Sequence, residues 1–241
     1  MHHPRFYVEY LDAAATVVEL RAENLHHLRD VLRLGVGEII MVFDAGRKFV
    51  QCEIERVGRD AAVARVERSG LMQPPSLHLH LGLALLQPQK IELVLQKAAE
   101  WGVSKLTPLI SRRSRSLARH KSDRWQRIAI EAACQSESAI VLRIDEAAPL
   151  PDFVAHQTGL RLLLDEEGGT PLRDFLRESN PVFVTVLVGP EGGWDRGEVA
   201  ETEAHGFLRA SLGPHNLRSE TAAISAVALL MHQWGMGSPR A

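Results

Sequence analysis

The feature that most constrains this chain is a change of hydrophobic period at Gln73-Pro74-Pro75-Ser76. Before it, apolar residues recur every second position, in Arg5–Leu11, Thr16–Leu20, Glu38–Asp44, Lys48–Arg56 and Ala61–Arg68. Such alternation predicts short half-buried strands. Asp44-Ala45-Gly46 and Gly58-Arg59-Asp60 read as tight turns between them. One helix interrupts the series, with Asn24 near its start and Leu25, Leu28, Val31 and Leu32 on one face, so residues 1–72 predict a small β-barrel with an inserted helix.

After the Pro-Pro linker, strands and helices alternate over residues 76–241. Strands are predicted at Leu77–Leu86, Lys105–Ile110, Arg161–Asp165, Val182–Val188 and Phe207–Leu212, and helices at Gln89–Trp101, Ser122–Gln135, Pro171–Arg177, Arg196–His205 and Arg218–Trp234. This is the pattern of an α/β domain with a mostly parallel sheet, whose ligands sit beyond the carboxyl ends of the strands. The last helix carries Ile224, Val227, Ala228 and Met231 at helical spacing, which serves a core or a subunit contact.

Composition narrows the class. With 241 residues, 45% hydrophobic and 24% charged, the chain is globular, and disorder and collagen are excluded. Two cysteines, Cys52 and Cys134, make neither a disulfide framework nor a CxxC zinc site, which favours a reducing compartment. Met1–Leu11 lacks the apolar stretch of a signal peptide, and the run Ala222–Met231 is too short to span a bilayer, so a cytoplasmic protein is expected.

The net charge of −2 is unevenly distributed. Residues 1–72 carry 10 Lys/Arg and 11 Asp/Glu, 73–144 carry 11 and 5, 145–206 carry 4 and 13, and 207–241 carry 3 and 1. The basic block contains Ser111-Arg112-Arg113-Ser114-Arg115, then Arg119, Lys121, Arg124 and Arg127, opposed by Asp123. Guanidinium groups bind phosphate bidentately and stack on bases, so the block is a candidate face for a polyanion as well as for solvated helices.

Two loops join strand ends to helices through glycine and proline: Gly189-Pro190-Glu191-Gly192-Gly193 and Leu212-Gly213-Pro214-His215-Asn216-Leu217-Arg218. Glycine at a strand's carboxyl end lets backbone approach a ligand closely. Neither loop follows GxGxxG or GxxxxGK, and Asp195 with Glu198 reads as a capping box. Ser219 would cap the last helix in the simplest reading of that loop. His78 and His80 share one side of a strand without a companion at ligand spacing, so no metal is expected.

Several of these stretches form one ordered series. Lys90-Ile91-Glu92, Gln96-Lys97, Glu100-Trp101-Gly102-Val103, Thr107-Pro108 through Ser111-Arg112-Arg113-Ser114, Trp125 through Gln135-Ser136, Gly189–Gly193 and Leu217-Arg218-Ser219-Glu220-Thr221-Ala222 follow in order, preceded by His27 and Val31-Leu32-Arg33. The series resembles the family of 16S ribosomal RNA (uracil-N3)-methyltransferases, members of the SPOUT superfamily. The chain departs from that pattern at Cys134, Ser138 and His215-Asn216.

The resemblance implies a PUA-like RNA-binding barrel at 1–72 and, at 76–241, a SPOUT methyltransferase domain with a deep C-terminal trefoil knot. It further implies a homodimer that binds S-adenosylmethionine in the knot and methylates N3 of a uridine in 16S ribosomal RNA of the small subunit. A methyltransferase acting on another RNA, or a non-catalytic ribosome assembly factor keeping the fold, are the alternative readings. The cofactor would meet Leu164, Val188, Gly189, Pro190, Glu191, Gly192, Gly193, Leu212, Gly213, Asn216, Leu217 and Arg218. RNA would meet Arg5, Arg29 and Arg33 of the barrel and Arg112, Arg113, Arg115, Arg119, Lys121 and Arg124 of the basic block. Arg113 and Arg218 are the expected electrostatic groups of catalysis and Glu220 the candidate proton acceptor, acting on a uridine that is unpaired or flipped out.

Overall fold

The computed structural model describes residues 3–12, 14–115, 122–138, 140–178 and 180–235; of Ser122 and Glu178 only the backbone is described. The chain divides into two compact units, Met1–Pro74 and Pro75–Ala241.

The first unit is a five-stranded sheet in the order β1-β3-β4-β5-β2, made of β1 (Arg5–Tyr7), β2 (Val17–Leu20), β3 (Ile39–Phe43), β4 (Lys48–Val57) and β5 (Ala62–Leu71). All pairings are antiparallel except β1 with β3. Alternation places Ile40, Val42, Val50, Cys52, Ile54, Ala62 and Ala64 in one apolar core.

The inserted helix is α1 (Ala22–His26), which continues as a π-helical turn over His27–Val31. Leu25 and Leu28 are buried as expected, whereas Val31 and Leu32 are exposed. The Leu32 amide bonds the His27 carbonyl, five residues back, and the wider turn rotates both side chains off the apolar face. Asn24 does not cap the helix; its amide donates to the Tyr7 carbonyl at 2.9 Å and ties α1 to β1.

The second unit is an eight-stranded sheet in which every pairing is parallel. Its strands are β6 (His78–Ala84), β7 (Lys105–Ile110), β8 (Arg143–Ile144), β9 (Ala148–Pro149), β10 (Leu160–Leu164), β11 (Thr170–Pro171), β12 (Phe183–Val188) and β13 (Leu208–Ser211). They run in the order β11-β13-β10-β12-β6-β7-β8, with β9 also on β7. Two-residue β8, β9 and β11 are too short to leave a periodic signal, and helix α4 (Leu150–Val154) is one turn long; sequence periodicity shows none of them.

The remaining helices are α2 (Pro88–Glu100), α3 (Ser122–Ser136), α5 (Leu172–Glu178), α6 (Arg196–Ala204) and α7 (Ser219–Leu230), the last followed by a π-turn over Met231–Gly235. Pro88 starts α2, where a missing amide hydrogen costs nothing, and Gly102 ends it with φ +75°. The capping box forms: Asp195 accepts from the Gly197 amide, and Glu198 accepts from the Asp195 amide at 3.0 Å. In α7 the buried apolar residues are Ala223, Ala226, Val227 and Leu230, so of the four apolar residues singled out there Val227 and Met231 are core while Ile224 and Ala228 are half-buried. Leu81, Leu83, Val94, Leu95, Leu162, Val186, Val227 and Leu230 meet in one cluster.

Candidate active site

Strands β13, β10 and β12 are parallel neighbours, so their carboxyl ends share one sheet edge. Each leads into a glycine-bearing loop, and the three loops line an open-mouthed cavity of about 80 Å³.

Of the residues expected to meet a cofactor, Leu164, Val188, Gly189, Pro190, Gly193, Leu212, Gly213 and Leu217 line this cavity. Gly213 has φ +132°, and a Cβ built there meets nothing within 4 Å, so this peptide faces open space that a side chain would fill. Gly189 is different. Its Cβ would stand 3.0 Å from Nε1 of Trp194, because the indole packs over this glycine while donating to the Leu164 carbonyl at 3.0 Å.

Glu191, Gly192, Asn216 and Arg218 lie outside the lining. Glu191 turns away to Lys90, with Oε1 2.5 Å from Nζ, and to Arg115 at 3.4 Å. The Lys90 hydrogen bond holds the Glu191 carboxyl below its usual range, and Glu191 in turn raises Lys90. Gly192 faces Arg113, whose Cδ lies 3.5 Å from the position of a Cβ. Asn216 and Arg218 are exposed between lining residues. Arg218 is the N-cap of α7 without a side-chain capping bond, and Ser219 sits inside the helix, not at its cap. Glu220 lies in the first turn of α7, 3.3 Å from Lys90 Nζ.

The basic loop after β7 folds onto the glycine loop. The Arg112 amide donates to Glu198 Oε1 at 2.7 Å, and its guanidinium to Asp195 at 2.9 Å. Arg113 Nη1 donates to the Gly192 carbonyl at 2.9 Å. Arg124 forms a bidentate pair with Glu92 of α2, at 2.5 and 2.8 Å. Arg119 and Lys121 lie outside the described residues.

In the first unit the three chosen arginines differ. Arg5 is only 7% exposed, its guanidinium 4.5 Å from the centre of the Phe43 ring and 3.0 Å from Met72 Sδ, so it is a packing residue and not a surface contact. Arg29 chelates Asp30 at 2.8 and 2.9 Å and reaches the Arg59 carbonyl. Arg33 is exposed with φ +56°.

His215, Ser219 and Ala222, which follow Leu212 in the second candidate loop and the start of its helix, also line the cavity, as do Asp165, Glu166, Trp194, Ala210 and Ser211, which were not expected there from sequence. A signal existed for two of them, since Asp165-Glu166-Glu167-Gly168-Gly169 repeats the format of a strand running into glycine. Among the described residues no cluster of metal-binding side chains exists. His80 is half-buried between Gln157, Thr107 and the edge of Phe153, and loss of solvent pushes its pKa down to about 4.

A family model for an RNA methyltransferase domain matches residues 73–231. The chain belongs to this RNA methyltransferase family. The RNA methyltransferase PUA domain matches residues 20–67, within the first unit.

Curated relatives of this RNA methyltransferase include ribosomal RNA small subunit methyltransferase E of Synechocystis, 34% identical over 219 residues, covering 88% of this chain and 71% of the relative. The protein of that name from Rickettsia conorii is 29% identical, with 95% of each chain covered. Among solved structures, ribosomal RNA small subunit methyltransferase E from Neisseria gonorrhoeae bound to S-adenosylmethionine superposes with a TM-score of 0.89 at 28% identity, over 97% of this chain and 99% of that one. A methyltransferase of Legionella pneumophila in complex with the same cofactor gives 0.86 at 30% identity, over 98% and 100%.

Proposed function

We propose that this chain transfers a methyl group from S-adenosylmethionine to N3 of a specific uridine in 16S ribosomal RNA. The observation that carries the reading is the cavity at the ends of β10, β12 and β13, with the arginine loop fastened to its glycine wall. Relatives named for small-subunit ribosomal RNA methylation, and neighbours holding S-adenosylmethionine, support it. The residues present fit that cofactor: open space beside Gly213 accepts its bulk, and the apolar Leu164, Val188, Leu212 and Leu217 alternate with backbone donors and acceptors.

Bound S-adenosylmethionine supplies an electrophilic methyl on a sulfonium. The protein then has two tasks, alignment and charge. Holding the acceptor nitrogen in line can contribute about 7–11 kcal/mol of the barrier. The uracil N3 proton must leave at neutral pH, and the resulting negative charge spreads to O2 and O4, where guanidinium donors stabilise it. Arg113 stands beside the glycine wall at 52% side-chain exposure, available to RNA, and Arg218 flanks the cavity mouth.

The reading extends to a cytoplasmic homodimer with the trefoil knot around the cofactor loops, and to a PUA unit that helps hold RNA. Of Arg5, Arg29 and Arg33 in the first unit, exposed Arg33 is the one suited to phosphate. Light scattering at micromolar concentration is expected to give twice the mass of the 26.7 kDa chain. The test of function is nuclease digestion and mass spectrometry of ribosomal RNA from a strain lacking this protein. One N3-methyluridine should vanish from the small subunit and return on complementation; an unchanged small subunit with a change in transfer RNA would overturn the reading.

A further inference from the structure

Beside the cofactor cavity lies a second, polar cleft of about 310 Å³, lined by Arg113, Arg196, Glu203 and Arg209 among others. The two spaces share Asp165, Glu166, Gly193 and Trp194. An acceptor base must face the cofactor, so a group that moves its proton belongs on this shared wall, which offers two carboxylates. Asp165 is committed: it pairs with Arg209 at 2.7 Å, accepts from the Glu167 amide at 3.0 Å, and its side chain is 8% exposed. Glu166 is exposed and makes no hydrogen bond or ion pair among the described residues. Glu220, Glu191, Asp195 and Glu198 line neither space; Glu220 stands 3.3 Å from Lys90, and the other three are held by Lys90, an arginine or a backbone amide.

We infer that the polar cleft receives the acceptor uracil and that Glu166 takes the N3 proton. This rests on the function proposed above. The Watson–Crick edge of uracil presents an acceptor, a donor and an acceptor in O4, N3–H and O2. Its complement is a carboxylate flanked by two donors, and the cleft supplies Glu166 with Arg113 and Arg196, both exposed. Arg196 makes no hydrogen bond or ion pair among the described residues, while Arg113 Nη1 rests on the carbonyls of Gly192 and Trp194 and its Nη2 lies 3.9 Å from Asp195. In the step, the N3–H bond breaks, its proton passes to a carboxylate oxygen of Glu166, and the electron pair stays on N3 to receive the methyl. The carboxylic acid afterwards returns the proton to water. Cytosine lacks the N3 proton and carries an amino donor at C4, so a cleft of this kind rejects it.

The test compares wild type with Glu166→Gln, a neutral isostere at a position with no native partner to lose. Calorimetry is expected to give S-adenosylmethionine affinity within about threefold of wild type, while single-turnover methylation of unmodified small ribosomal subunits falls by about 10²-fold or more, as for loss of a general base. Subunits reconstituted with 16S ribosomal RNA containing 5-fluorouridine, whose N3 is more acidic, should restore the Glu166→Gln rate by at least tenfold relative to wild type. A variant that methylates normally, that loses cofactor affinity in proportion to rate, or that gains nothing from 5-fluorouridine overturns the assignment. A wild-type protein that places no methyl on uridine N3 instead refutes the parent reading.

Discussion

Lys90 and Glu191 stand 101 positions apart in sequence, and their Nζ and Oε1 atoms are 2.5 Å apart in the fold. The same ammonium reaches Glu220 at 3.3 Å, so one side chain of α2 joins the loop after β12 to the first turn of α7. Both of those segments wall the cavity proposed for the cofactor. Lys90→Met should therefore loosen the walls: calorimetry is expected to show S-adenosylmethionine affinity reduced about two- to fivefold, in keeping with a partly exposed pair. Lys90→Arg should recover most of it. Unchanged affinity in Lys90→Met would show that the walls hold without the clamp.

The two glycine loops give a contrast. Gly213→Val places a branched side chain in open cavity space, at a φ that already disfavours it, and should abolish measurable cofactor binding. Gly192→Val meets the Arg113 stem at 3.5 Å, outside the cavity, and should leave cofactor affinity within about threefold while disturbing methylation through Arg113. Parallel titrations of both folded variants check this; the reverse order would put the cofactor on the other side of the loop.

Arg5 should behave as a core residue. Arg5→Ala removes the guanidinium from the Phe43 ring and from Met72, which should destabilise the first unit by about 1–2 kcal/mol in urea unfolding. RNA affinity measured well below the midpoint should change little. Arg33→Ala should do the opposite, weakening RNA binding and lowering its salt dependence by about one unit of slope for each phosphate that the side chain neutralises.

His80 sets an acid limit on stability. Its folded pKa is pushed down to about 4 by burial first, and then by Lys105, against an ordinary value near 6.5. Between those values the unfolded chain binds the proton and the folded chain does not. Stability is therefore full above about pH 6.5 and falls as pH drops toward 4, by up to about 3 kcal/mol from this group. Denaturant unfolding at pH 7 and at pH 4.5 measures it, and His80→Gln should flatten the difference. An equally steep loss in that variant would assign the acid sensitivity to carboxylates.

Much of the cavity is readable from sequence, because parallel strands end there together and because Gly189, Gly193 and Gly213 stand in its lining. Other parts are hidden for physical reasons. Period-two alternation does not reveal that Arg5 folds back over Phe43, since burial of its guanidinium depends on a ring 38 positions later. The π-turn at His27–Val31 shifts Val31 and Leu32 off their face without any glycine or proline to announce it. Lys90 looks like any helix-surface lysine until the fold brings Glu191 and Glu220 to it. Glu166 sits in an acidic turn that resembles a solvated loop, and only the adjoining cavities give it a role.

The most direct test of the account is methyl transfer by the purified protein. Small ribosomal subunits from a strain lacking it would be incubated with isotopically labelled S-adenosylmethionine, and the labelled nucleoside located by mass spectrometry. The account predicts one labelled methyl per subunit, on N3 of a single uridine in 16S ribosomal RNA. Label on a base carbon, on a ribose hydroxyl or on no ribosomal nucleotide at all would contradict it.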